Sequence, residues 1–300
     1  MAHLQQSPQI LKDSGFINHL DAVAQDVEKT LDNILPPPNS RLHEAMRYSV
    51  LGGGKRLRSF VLYEAASLFD VSRMHSLTVA AAIEIIQAYS LVHDDLPCMD
   101  DADLRRGKPS CHVAFGEATA TLVGDALIPL GFQTLCSLTC SADIKLDLIE
   151  SLAQTIGSQG LAAGQMMDLR QEAPVQNYND ILELERLKTG VFFGFAAEAG
   201  AILGGSTTAE RNSLKSYGLL LGEAFQMRDD FLDGVGTSDT LGKPSGQDTA
   251  KLTFYSLLGP ELLSQKAEEA SHKAIKMLGC FGEKAAGLRN LAHHAVQRVR

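Results

Sequence analysis

Apolar residues recur at three- and four-residue spacing through most of the chain, and strict apolar/polar alternation is nearly absent. That pattern predicts helices almost throughout. Phe16, Leu20, Val23, Val27 and Leu31 mark one such helical face. Breaks are predicted where the residues cannot easily continue a helix: Pro36-Pro37-Pro38, Gly52-Gly53-Gly54, 70–74, 97–109, 141–143, 173–178, 204–208, 234–251 and Gly259-Pro260. About ten helical segments of ordinary length remain, so the expected class is all-α. The stretches Leu77 to Val92 and Ser213 to Met227 are apolar on more than one face, as suits helices surrounded by other helices. The two longest glycine-rich, charged connections follow these two helices, and long connections in a compact domain often carry function.

With 300 residues, 45% of them apolar, the chain sits near the upper limit for one core. One domain over 1–300 is expected. The longest apolar candidate for a membrane span, Val191 to Gly205, is interrupted by Glu198, so no span is expected. The first thirty residues mix Lys12, Asp13, Asp21, Asp26, Glu28 and Lys29 and lack the basic start and apolar middle of a secretory signal. A cytoplasmic protein is therefore expected. A net charge of −9 has the wrong sign for a nucleic-acid surface. The five cysteines are odd in number and contain no CxxC pair, which predicts reduced, mostly buried thiols.

Chemistry concentrates in two acidic clusters. The first reads Asp94-Asp95-Leu96-Pro97-Cys98-Met99-Asp100-Asp101, followed by Asp103, Arg105 and Arg106. Like charges this dense repel unless a cation sits among them, and oxygen-only ligands suit Mg²⁺, an ion readily shared with substrate phosphates. The cluster follows an apolar helix, so it falls at the C-terminal end, where the macrodipole disfavours carboxylates. That cost favours function over a merely solvated helix end. The second cluster is Asp229-Asp230-Phe231-Leu232-Asp233, in which Asp229 and Asp233 share one helix face. Two such clusters suggest one shared cavity. Around the same breaks lie Gly54-Lys55-Arg56-Leu57-Arg58, Arg105-Arg106, Lys188-Thr189, Lys243 and Lys251. Lys55 with Arg58, and Arg105 with Arg106, suit phosphate oxygens; Lys243 or Lys251 alone would be an ordinary surface charge.

Gly52 to Arg58 (GGGKRLR), His93 to His112 (HDDLPCMDDADLRRGKPSCH), Gly164 to Asp168 (GQMMD), Lys188 to Gly190 (KTG), Phe225 to Asp233 (FQMRDDFLD) and Leu241 to Lys243 (LGK) are long, specific motifs. Together they closely resemble the trans-prenyl diphosphate synthases, above all the bacterial farnesyl diphosphate synthases. The resemblance implies an orthogonal helical bundle around a deep central cavity, usually a homodimer. It implies three Mg²⁺ ions with substrate bound: two on Asp94 and Asp100, a third on Asp229, with Asp233 and Asp168 helping through water. Arg105, Lys188, Gln226 and Lys243 would hold the allylic diphosphate, and Thr189 would line the reacting carbons. Lys55, Arg58, Gln87 and Arg106 match the positions that bind isopentenyl diphosphate, with Gln87 where many bacterial relatives have histidine. Gly246 to Ser256 departs from the family: its aspartate and lysine stand two residues closer, and Ser256 falls where proline is usual. Lys251 would be a phosphate contact in the family's spacing.

The reaction these parts imply needs no protein nucleophile. The allylic C–O bond ionises as metal and cationic side chains neutralise the departing diphosphate, and the alkene of isopentenyl diphosphate attacks the cation. Loops around Arg105 and Lys243 would close to exclude water. Arg298 or Arg300 could join that closure, though a frayed terminal charge is the plainer expectation. Tyr89, five residues before Asp94, would project beneath the allylic chain beside the small Ser90 and stop growth at C15. Geranyl or geranylgeranyl diphosphate synthesis is the alternative within the family. A terpene cyclase has little use for Lys55 and Arg58, and a non-catalytic subunit would be expected to have lost one cluster. A zinc protein using His93, Cys98, Cys111 and His112 lacks the paired spacing of such sites.

Overall fold

The computed structural model describes residues 14–169, 175–235 and 252–298. Lys243, Lys251 and Arg300 therefore lie outside the described residues. The first helix, α1 (Ser14–Ile34), buries Phe16, Leu20, Val23, Val27 and Leu31, the face its spacing predicts. It ends before Pro36, where the ring would clash with the preceding turn. Helices α2 (Arg41–Val50), α3 (Leu57–Ser67) and α4 (Arg73–Asp94) follow. Ser40 and Ser72 cap α2 and α4, each accepting from the backbone N–H three residues on.

α4 runs through the middle of the molecule against α1, α2, α3, α6 (Glu117–Cys136) and α10 (Val191–Leu203). It is long and apolar enough to cross a membrane, unlike Val191 to Gly205, yet 72% of its most apolar window is buried inside the protein. α10 is buried from Phe192 to Ile202, Glu198 included. That carboxylate, which interrupts the apolar run, meets Arg211 at 2.9 Å, Lys215 at 3.0 Å and Ser151 at 2.8 Å. Burial opposes its charge, but these hydrogen bonds outweigh burial and hold its pKa below the usual range.

The remaining elements are α5 (Cys111–Phe115), α7 (Ala142–Ile156), α8 (Leu161–Asp168), α9 (Tyr178–Glu185), α11 (Thr208–Val235), α12 (Phe254–Met277) and α13 (Ala286–Gln297). The architecture is all-α, and its main hydrophobic core draws on residues from Phe16 to Ala295. At Gly259, with φ 71° and ψ 169°, the chain leaves helical geometry, so the expected Gly259-Pro260 break falls inside α12. The break between α7 and α8, at Gly157 to Gly160, was not predicted. Besides a 3₁₀ stretch, Gly279–Ala285, between α12 and α13, two further features depart from plain helix. One is a small antiparallel hairpin, β1 (Leu104–Arg105) with β2 (Lys108–Pro109). The other is a π turn, Arg186–Gly190, between α9 and α10. The thiols are free, as predicted, but Cys98, Cys136 and Cys280 are exposed and only Cys111 is buried. The expectation of mostly buried thiols is thereby corrected.

Candidate active site

A cavity of about 210 Å³ opens between the two acidic clusters. Asp100 enters it from the first cluster, Asp230 and Asp233 from the second, with Asp168, Glu185, Lys188, Thr189 and Gln226 between. The π turn places Lys188 and Thr189 there; such widened turns concentrate at functional sites. Gly164 lets α8 lie directly on this turn, since a Cβ there would sit 2.4 Å from the Lys188 backbone nitrogen. Asp168, one turn further along α8, then accepts from Lys188 Nζ at 2.5 Å. Burial works against the Lys188 ammonium, but Asp168 and Asp94 outweigh it and raise its pKa.

Asp94 closes α4 and Asp95 is its C-cap. Asp94 does not itself line the cavity; burial pushes its carboxyl up to about 6, opposed by Lys188 and Arg105 and reinforced by Asp100. Asp95 is 2% exposed and takes Arg105 Nε on both oxygens at 3.1 Å. Arg105 is therefore anchored by a carboxylate for which the sequence suggested no separate role. Arg106, on the same hairpin, donates to the Gly53 carbonyl. Gly54, with φ +124°, permits that approach, because a Cβ would sit 2.9 Å from the guanidinium carbon.

Arg58 lies over the rings of Phe193 and Phe192, 4.4 and 5.4 Å from their centroids. Its Nε is buried without a partner, and burial lowers its pKa to about 10. Lys55 is exposed, within electrostatic reach of Asp229 and Arg298. Gln87 is half-buried on α4.

On the second wall, Arg298 reaches Asp229 at 2.6 Å, stacks 3.8 Å from the Phe225 centroid and is 8% exposed. The expectation of a frayed terminal charge is corrected. Asp230 accepts from Gln226 Nε2 at 3.2 Å and the Phe254 backbone at 3.0 Å, and burial pushes it up to about 6. Thr189 Oγ1 lies 3.4 Å from Gln226 Oε1. Sequence reasoning missed Glu185, whose carboxyl burial and the neighbouring Asp230 push up to about 8. Its signal was its place one helical turn before Lys188.

Tyr89 is buried, but its ring packs edge-on against His93 at 5.9 Å, and neither it nor Ser90 lines the cavity. Ser90 Oγ donates to the Gln87 carbonyl at 3.0 Å. His93 lies 3.1 Å from the Thr121 carbonyl, and Cys98 is exposed. Among the described residues no three His, Cys, Asp or Glu side chains converge as a metal cage. His93, Cys98, Cys111 and His112, the zinc reading the sequence disfavoured, form no such group among the described residues. For Mg²⁺ the donor set fits: carboxylates on two walls, three of them (Asp94, Asp229 and Asp230) with pKa values raised by burial, are groups a divalent cation would return to the charged form. Water and substrate phosphate would complete the coordination.

Acidic walls facing across a helix-lined cavity, with the Lys188 ammonium between them, suit an all-α enzyme that handles an anionic substrate together with a cation. The polyprenyl synthetase profile matches residues 39–287. The chain is 38% identical to farnesyl diphosphate synthase of Escherichia coli, covering 94% of this chain and 99% of that protein. It is equally 38% identical to the large subunit 1 of a heterodimeric geranylgeranyl pyrophosphate synthase of Arabidopsis thaliana, over 94% of this chain and 79% of that one. A crystallised FPP/GFPP synthase from Zymomonas mobilis superposes with a TM-score of 0.84 at 41% identity, covering 94% of this chain and 99% of that chain. The chain belongs to the polyprenyl synthetase family and is a prenyltransferase.

Proposed function

We propose that the protein catalyses head-to-tail condensation of isopentenyl diphosphate with dimethylallyl or geranyl diphosphate to give farnesyl diphosphate, with Mg²⁺ as cofactor. The observation that carries this reading is the single cavity reached by Asp100 from one wall and by Asp230 and Asp233 from the other. Mg²⁺, when bound by Asp94, Asp100 and Asp229, with Asp168 and Asp233 assisting, supplies positive charge that neutralises the departing diphosphate.

Lys188 and Arg105 hold the allylic diphosphate by its oxygens, each already aimed by an aspartate. The C–O bond breaks and its electron pair leaves with the diphosphate. The Thr189 hydroxyl and Gln226 carboxamide present dipoles to the positive charge left on the allyl group. Lys55, Arg58 and Arg106 hold isopentenyl diphosphate, and Gln87 donates to it. The buried, unpartnered Nε of Arg58 is the group whose hydrogen bonding an anion would complete. The alkene attacks the cation, a C–C bond forms, and a proton passes to the released diphosphate. The protein works as a homodimer, for which exposed Val113 on α5 and Leu122 on α6 offer apolar surface.

Product length is the finer part of the proposal. Tyr89, buried on α4 five residues before Asp94, supports C15 as the bulky side chain that would stop a chain growing past the described cavity, whereas relatives named geranylgeranyl pyrophosphate synthases favour C20 as the second reading. Mass determination of the product from dimethylallyl diphosphate, excess isopentenyl diphosphate and Mg²⁺ tests both. C15 is expected from the native chain and longer products from Tyr89→Ala. A native C20 product would overturn the farnesyl assignment, and no product from the purified chain would point to a non-catalytic subunit.

A further inference from the structure

Between Lys55 and Arg58, Arg56 turns inward. Its backbone adopts the left-handed region, φ 49° and ψ 36°, which side chains bearing a Cβ disfavour. Such a conformation persists only where the surroundings over-determine it, and here they do. The guanidinium is 5% exposed and donates to Glu28 Oε1 from Nε at 3.0 Å and from one terminal nitrogen at 2.5 Å. It also donates to Glu84 Oε2 at 2.7 Å and to the Val50 carbonyl at 2.7 Å. Ser59 fixes the other Glu84 oxygen at 2.6 Å. Residues of α1, α2, α3 and α4 thus meet at one side chain.

We propose that Arg56, clamped by Glu28 and Glu84, is the positioning residue of the isopentenyl diphosphate pocket. The inference rests on the assignment of Lys55, Arg58 and Arg106 to that pocket. Arg56 touches no substrate. It fixes the backbone from which Lys55 and Arg58 reach the diphosphate, and its two glutamates offset the mutual repulsion of the cations gathered there. Glu84 lies within electrostatic reach of Arg58 and Arg106 as well as Arg56. Its place on α4 gives the clamp a second effect. Glu84 precedes Asp94 by ten residues of unbroken helix, or about 15 Å along the axis. One rigid helix therefore carries both the anchor of the isopentenyl pocket and the first metal wall, and sets the spacing at which the two substrates meet.

Glu28→Gln is the variant least prone to misfold, because Glu28 is one-third exposed and the Arg56–Glu84 pair survives. Arg56→Lys keeps charge but loses the forked geometry. For both, isopentenyl diphosphate is titrated calorimetrically into the protein without allylic substrate, steady-state kinetics are run with each substrate varied, and the melting temperature is measured. The expected result is a rise of about tenfold in Kd and KM for isopentenyl diphosphate, with kcat and the allylic KM held within about twofold. A lower melting temperature with unchanged isopentenyl diphosphate Kd and KM would overturn the proposal in favour of a packing role. Lys55→Ala serves as the control. If it weakens isopentenyl diphosphate binding while the clamp variants do not, positioning by Arg56 falls and the pocket stands. If it has no effect, the pocket assignment itself falls.

Discussion

The two aspartate walls look alike in sequence and are built differently. The first stands at a helix end: after Asp94 the chain folds back, with Asp100 N–H donating to the Asp94 carbonyl at 2.9 Å and Ala102 N–H to that of Asp95 at 3.2 Å. The second lies within the last two turns of α11, where Asp229 and Asp233 share a face by ordinary helical spacing. In each wall one carboxylate holds the element that follows. Asp95 anchors the Arg105 hairpin, and Asp230 accepts from the first N–H of α12. The partners differ in kind, however: Asp95 has a full cation, whereas Asp230 has two neutral donors and faces the cavity. A run of aspartates therefore does not reveal which carboxylate is anchored by a cation and which faces the cavity on neutral donors.

The largest effect should come from the carboxylates assigned to metal on either side. Asp94→Ala and Asp229→Ala should each lower kcat about a thousandfold, near 4 kcal/mol in barrier, while both proteins remain folded. Steady-state assays over a Mg²⁺ titration check this. If only one wall shows the loss, the departing diphosphate is held from one side and the paired-wall mechanism fails.

Much of this was legible. The helical periodicity, the proline and glycine stops and the two acidic clusters all rest on local spacing, and local spacing survives folding. Arg56, Asp95 and Arg298 were not legible, for a common reason. Each is defined by a partner distant in sequence: Glu84 for Arg56, Arg105 across a hairpin for Asp95, Asp229 for Arg298. Nothing in RLR, DD or QRVR tells an anchored charge from a solvated one. The hairpin at Leu104–Arg105 and Lys108–Pro109 escaped because two-residue strands are too short to show alternation. Ser256, a departure from the family, gains a plain physical role: with Thr253 it forms a capping box that starts α12.

Burial acts on carboxylates of both walls in the same direction. Asp94 and Asp230 have native pKa values of about 6, against an ordinary 3.8. Between those values the native protein keeps protons that the unfolded chain has lost, so stability is highest at the acid end and falls as pH rises from about 4 to 6. Each group contributes up to about 3 kcal/mol to that fall. Melting curves of the metal-free protein across this range should show it, and Asp230→Asn or Asp94→Asn should flatten the slope. A slope unchanged by either substitution would mean that these carboxylates are not held protonated by burial.

The smallest effect separates Asp95 from Asp230 at neutral pH. Asp95→Asn leaves Arg105 without its counter-charge, and because Arg105 is partly exposed the loss should be about 2 kcal/mol, below that for a fully buried broken pair. Asp230→Asn removes a charge that burial opposes and keeps an acceptor for the Phe254 N–H, so it should raise stability at the same pH. Denaturant titration of the two variants beside the native protein reads both. Opposite signs are the expected outcome, since one aspartate is stabilised by a cation and the other is buried on neutral donors. If both variants lose stability alike, the neutral donors around Asp230 already satisfy its charge, and the distinction between the walls would rest on backbone geometry alone.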